Sequence, residues 1–131
     1  MDIAQRLQQE LPPLPRWMGI KVVEATPERV VAELTVREEL CTSGGIMHGG
    51  AVMAFADTVG ALGTVVNLRE GQGTTTLESK TNFFAASSVG TRLIAEATPL
   101  HRGRRTQVWE TRITNEQGRL IAKVTQTQMV L

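Results

Sequence analysis

Hydrophobic and polar positions alternate through most of this chain. The alternation stops over one long stretch near the middle. Ile3, Leu7 and Leu11 recur every four residues and predict a short amphipathic helix over Ile3–Leu11, ended by Pro12, Pro13 and Pro15. Two strand-like runs follow, Ile20–Ala25 and Arg29–Val36, with Thr26-Pro27-Glu28 between them as a hairpin turn. Glu38–Gly45 reads as a loop. Gly49–Asn67 is the long helical candidate, spanning roughly 28 Å at about 1.5 Å per residue. It is apolar on most sides, so most of its surface must be covered. Four more strands are predicted: Thr74–Ala85, Arg92–Leu100, Thr106–Thr114 and Leu120–Leu131. One apolar helix among many antiparallel strands predicts an α+β fold with a curved sheet wrapped around that helix.

Composition narrows the function classes. At 131 residues, without repeat, linker or low-complexity tract, the chain is one domain, its first fifteen residues forming the helix and proline-rich lead-in. Fourteen Lys and Arg against thirteen Asp and Glu leave a net charge of +1, which provides no global field for nucleic-acid binding. The single cysteine, Cys41, excludes an intrachain disulfide framework and suits a reducing compartment. The first nine residues mix acid, base and amides, unlike a secretory signal. Ile46–Leu68 carries His48, Asp57 and several glycines and makes a poor transmembrane candidate. The expectation is a cytoplasmic protein acting without a membrane or nucleic-acid partner.

Three features carry candidate chemistry. Gly44-Gly45-Ile46-Met47-His48-Gly49-Gly50 leads into the long helix. Glycines there allow a tight turn and close packing, or let a ligand reach the free N–H groups and positive dipole of the helix start. Asp57 is the only acid between Leu40 and Arg69 and lies mid-helix in an apolar stretch. Of its helical neighbours Gly50, Met53, Ala54, Gly60, Ala61 and Thr64, four are Gly or Ala, which leaves space for a substrate or a second subunit. Asp57 is either a catalytic carboxylate or a structural one bonded to a Ser or Thr hydroxyl. His101-Arg102-Gly103-Arg104-Arg105 is a solvated hairpin tip or a phosphate clamp. His48, Asp57, Cys41 and His101 lack metal-ligand spacing, and no nucleophile elbow or phosphate loop is present.

Gly45-Ile46-Met47-His48-Gly49-Gly50, Asp57, Asn82-Phe83-Phe84, Gly90 and the His101–Thr106 turn together resemble the hotdog-fold acyl-CoA thioesterases, with the PaaI type closest. The resemblance runs from about Gly19 to the C-terminus. It implies hydrolysis of a coenzyme A thioester, without metal and with no cofactor beyond the coenzyme A of the substrate itself. Asp57 takes the place of the general base or nucleophile, and the Gly49 N–H polarises the thioester carbonyl. His48 shapes the loop, and Thr76 assists the water or the acid. Thr42 stands six residues before the histidine, where the family often carries Asn. Coenzyme A contacts map onto Phe84, Ala85, Ser87 and Ser88 and onto Arg102, Gly103, Arg104, Arg105 and Thr106. The family site forms between two subunits, which implies a homodimer and, in this family, a homotetramer.

Two rival functions share the pattern. A hotdog-fold enoyl-thioester hydratase or dehydratase would use His48 with an acid. A non-catalytic acyl-CoA-binding protein would keep the glycines and basic turn but need no carboxylate at position 57. Trp17, Met18, Met53, Phe55 and Leu62 are candidates for the wall of an acyl pocket.

Overall fold

The computed structural model describes residues 1–131. Two short helices, α1 (Ile3–Gln9) and α2 (Pro13–Met18), precede strands β1 (Lys21–Thr26) and β2 (Arg29–Thr35). A two-residue ribbon of β3 (Cys41–Thr42) and β4 (Ile46–Met47) leads into α3 (Gly49–Val66). Strands β5 (Thr74–Phe83), β6 (Arg92–Arg102), β7 (Thr106–Asn115) and β8 (Leu120–Val130) complete the chain. All six long strands form one antiparallel sheet in the order β1-β2-β6-β7-β8-β5. The sheet wraps α3, as the pattern of the sequence requires, and this is the hotdog fold.

The predicted elements are present, α2 is an addition, and the predicted loop Glu38–Gly45 instead holds two 3-10 turns and strand β3, which pairs with β4. Prolines 12, 13 and 15 end α1, but they also begin a second helix. Pro13 and Pro15 occupy its first turn, where no backbone N–H is needed and a φ near −65° is already helical. Gly19 closes α2 with φ +84°, a left-handed conformation that favours glycine. At the chain start Asp2 caps α1 by accepting from Gln5 N–H, and Gln5 returns the bond to Asp2 N–H.

The core lies between α3 and the inner face of the sheet. Phe55, Ala56 and Val59 of α3 are fully buried, against Ala95, Ala97, Trp109, Ile113 and Val124 of the sheet. By length and mean hydropathy alone (18 residues, 1.4) α3 matches a membrane span. Its packing against β2, β5, β6, β7 and β8 accounts for that composition. The approach is close because two helix positions lack side chains. A Cβ at Gly63 would stand 2.7 Å from the Trp109 ring, and one at Gly60 would stand 2.1 Å from Gln126 Oε1. The Trp109 ring is fully buried, and its Nε1 donates to Gln107 Oε1 at 3.0 Å, so it has nowhere to retreat. Gly63→Ala is therefore expected to destabilise by about 1–3 kcal/mol through overpacking. The immovable ring puts the cost in the upper part of that range, so after the ~1 kcal/mol that alanine gains in helix propensity a net loss of about 1–2 kcal/mol remains. A melting curve checks it: Tm should fall by roughly 3–10 °C, and an unchanged Tm would show that helix and sheet can part.

Candidate active site

Asp57 lies half-buried near the middle of α3, where it meets the last two strands of the sheet order. Thr76 Oγ1 donates to Asp57 Oδ1 at 2.7 Å, and Gln126 Nε2 donates to the same oxygen at 3.0 Å. Gln126 Nε2 also lies 3.3 Å from the Asp57 carbonyl oxygen. Gln128 Nε2 donates to Thr76 Oγ1 at 2.6 Å. Asp57 Oδ2 accepts no hydrogen bond within the chain. Thr76 is aimed by a bulge in β5: Thr76 pairs with Gln128 and Glu78 with Thr127, and the extra residue, Leu77, turns outward. The carboxylate thus has both the strand hydroxyl of its structural reading and a free oxygen for chemistry.

Asp57 opens onto an apolar cleft of about 370 Å³ between α3 and the α1–α2 segment. Leu7, Leu14, Pro15, Ala54, Ala61 and Leu62 line it. Ala54 and Ala61, three residues before Asp57 and four after it, leave the space that helical spacing predicts. Of the acyl-wall candidates, Leu62 faces this cleft, while Met18 and Phe55 are buried in the core. Trp17 and Met53 are partly exposed, and Trp17 stacks beneath the Arg37 guanidinium at 4.5 Å. No group of three or more His, Cys, Asp or Glu side chains converges on a point.

The start of α3 is built differently. Gly44 and Gly45 take φ of +79° and +69°, turning the chain between β3 and β4. The ribbon is stitched to the segment after β5 by Met47 N–H to Ser87 O at 2.8 Å and Val89 N–H to Gly45 O at 3.0 Å. His48 is the N-cap of α3, and its Nδ1 accepts from Gly50 N–H at 2.8 Å, which leaves its ring proton on Nε2. Ala51 and Val52 N–H bond to His48 O. Gly49 N–H is left without an acceptor at the positive end of the helix dipole. Asp57 lies eight positions after Gly49, about 12 Å along the axis. Within one subunit these two groups are too far apart to act on one carbonyl. Thr42 is exposed on the ribbon, paired with Ile46.

The sites expected to touch coenzyme A are distributed unevenly. Phe84 and Ser88 are exposed, and Ala85 packs partly against the core. Ser87 is an exception to the expectation: it is only 3% exposed, and its carbonyl holds the ribbon, so it braces the loop from inside. The basic turn joins β6 to β7 at the far end of α3. There Arg102, Gly103 and Arg104 line a polar cleft of about 530 Å³ with Asn67 and Arg69. Arg102 is already engaged, donating to Pro27 O at 3.1 Å and pairing with Glu28 at 3.6 Å. Arg104 and Arg105 are exposed and form no ion pair within the chain. Gly103 and Thr106 close the turn through Gly103 N–H to Thr106 O at 2.9 Å.

Sequence reasoning missed Gln126 and Gln128. The signal available was strand parity: both continue the inward face of Ala122 and Val124, so amides fall where apolar residues are expected.

Comparison with known proteins agrees with this architecture. The thioesterase superfamily model matches residues 44–122, more than half of the chain, including the α3 start and Asp57. The chain is 30% identical over 108 residues to 1,4-dihydroxy-2-naphthoyl-CoA hydrolase of Listeria monocytogenes, covering 82% of this chain and 87% of that protein. It is 32% identical over 102 residues to the proofreading thioesterase EntH of Cronobacter turicensis, covering 78% and 74%. The crystal structure of a Haemophilus influenzae thioesterase superposes with a TM-score of 0.92 at 26% identity, covering 100% of this chain and 92% of that one. The chain belongs to the thioesterase superfamily and is a thioester hydrolase on the hotdog fold.

Proposed function

We propose that this protein hydrolyses small-to-medium acyl or aryl-acyl thioesters of coenzyme A and needs no separate cofactor. The observation that carries the reading is Asp57, with one carboxylate oxygen held by Thr76 and Gln126 and the other open beside an apolar cleft. Asp57 acts either as general base or as nucleophile. As a base it takes a proton from water while the hydroxide adds to the thioester carbon; the C–S bond breaks and the thiolate recovers the proton. As a nucleophile its Oδ2 forms a mixed anhydride with loss of the thiolate, and water then cleaves the anhydride. In both routes the carbonyl oxygen gains negative charge and needs a donor.

That donor is Gly49 N–H of a second copy, because Gly49 and Asp57 of one copy lie about two helical turns apart. Self-association has support in the outer edge of the sheet. Strand β5 is ten residues long with its outer backbone edge unpaired by any other strand, and Leu77, Phe83 and Phe84 are exposed along or just beyond it. A homodimer through this edge, and a homotetramer of two such dimers, is the assembly we infer. A hydratase reading fares worse, since His48 Nδ1 is committed to capping α3.

A panel of acyl-CoAs assayed for free-thiol release tests the function directly. Thiol appearing with stoichiometric acid supports hydrolysis; a substrate altered without thiol release supports hydration instead. The same assay checks the basic turn. Arg104→Ala with Arg105→Ala is expected to raise KM for acyl-CoA about tenfold, the scale of one lost charge-assisted contact. The loss should shrink in high salt and be much smaller for a pantetheine thioester lacking the nucleotide. Equal losses on both substrates would assign the turn to structure.

A further inference from the structure

Two buried glutamines on the inner face of β8 reach the Asp57 carboxylate, Gln126 directly and Gln128 through Thr76. Gln126 is 1% exposed and Gln128 0%, and both face α3 where the strand's earlier inward residues are Ala122 and Val124. Buried amides are unfavourable in a core unless paired. The pairing here is specific and runs in one direction. A carboxylate only accepts, so Thr76 must donate its single hydroxyl proton to Asp57 Oδ1. Thr76 Oγ1 then accepts from Gln128 Nε2, which orients the Gln128 amide. The other end of that amide, Oε1, lies 3.0 Å from the Thr74 hydroxyl. Gln126 presents its NH₂ to the same Asp57 Oδ1 and leaves its own Oε1 buried without a partner. Gln126 reaches Asp57 through the notch at Gly60, where any Cβ would collide with it. The third buried glutamine, Gln107, serves the core by accepting from Trp109.

Resting on the thioesterase reading above, we infer that Gln126 and Gln128 are positioning residues that direct both donated hydrogen bonds onto Asp57 Oδ1 and so present Oδ2 to the thioester. Gln126 spends its NH₂ on Asp57 alone, on both the carboxylate and the carbonyl oxygen, which ties its placement to that residue. The pair acts through Asp57 and Thr76 and touches no substrate. Its removal lets the carboxylate turn, which lowers the rate of the chemical step and leaves substrate binding nearly unchanged.

The test is Gln126→Met and Gln128→Met, each measured for thiol release from acyl-CoA well below its Tm, with Tm recorded. The expected result is a kcat lower by about ten- to hundredfold with KM within about threefold, and a Tm equal to or above that of the wild type. A kcat within about twofold of wild type, whatever the Tm, overturns the inference. Side-chain amide NMR gives a readout independent of activity. In the wild type the Gln126 NH₂ signals should exchange slowly, and they should move in Asp57→Asn, where their acceptor loses its charge. Unmoved signals overturn the inference even if both Met variants fail to fold. Should the wild-type protein release no thiol from any acyl-CoA, the thioesterase reading falls, and the NMR shift alone still decides whether Gln126 holds Asp57.

Discussion

Asp57→Asn is expected to lower kcat for acyl-CoA hydrolysis by at least about a hundredfold, the scale of a general base, with a larger loss if Asp57 is the nucleophile. The fold should be untouched, and the hydrogen-bond geometry says why. Thr76 and Gln126 both donate to Oδ1. An asparagine in the same rotamer must therefore turn its carbonyl oxygen toward them and place its NH₂ where Oδ2 stood. The two donors stay satisfied, the shape is kept, and the one atom able to take a proton or attack carbon is replaced by a donor. Asp57→Ala is a different experiment, because it takes away the carboxylate oxygen that Thr76 and Gln126 both donate to in a buried site, and its Tm should fall. Thiol-release kinetics with a melting curve for each variant separate the two. Near-normal hydrolysis by folded Asp57→Asn would return the residue to a structural role.

Gly49→Pro should be nearly as damaging, for a complementary reason. Proline removes the N–H that stands free at the start of α3. Losing one donor to a developing oxyanion costs on the order of 10²–10³ in kcat. The backbone accommodates the change. Gly49 is the first residue of the helix, where proline is well tolerated, and His48 before it is extended with φ −61° and ψ +136°, as a residue preceding proline should be. The nearest obstacle to a Cβ is the tip of the Phe83 ring at 3.4 Å, on an exposed side chain. The helix should therefore stand while the rate falls. Gly49→Ala, which keeps the N–H, should retain most of the activity, and equal losses in the two variants would mean that position 49 matters for space alone.

Much of this was legible in the sequence because it is written in periodicity. The six long strands follow from alternation, and α3 from an apolar run too long for a strand. Asp57 stood out as an isolated acid in that run, whereas Thr76 came only with the family resemblance, which looks for a Ser or Thr on the strand after the helix. What could not be read has local physical causes. The proline cluster at 12, 13 and 15 signals a helix end, and only its position in a first turn makes it a start as well. Thr125-Gln126-Thr127-Gln128 is polar at every position, so only parity with Ala122 and Val124 marks its inward face, and hydrophobicity does not. The glutamines are drawn inside by the notch at Gly60 and the acid beside it, both of which come from another part of the chain. By the resemblance Ser87 is expected to touch coenzyme A; its burial beneath the ribbon over Cys41–Met47 comes from a segment about forty residues away in the chain.

On the proposed reading, one active site takes Asp57 from one copy and Gly49 from another. Mixing Asp57→Asn and Gly49→Pro subunits, by co-expression or co-refolding, tests it most directly. Each mixed pair holds one site with both changes and one with neither. Random pairing of two inactive variants should thus restore about a quarter of the wild-type sites, with wild-type KM, and the protein should run as a dimer or larger by light scattering. A mixture no more active than its parents, or a stable monomer of 14.3 kDa, would contradict it.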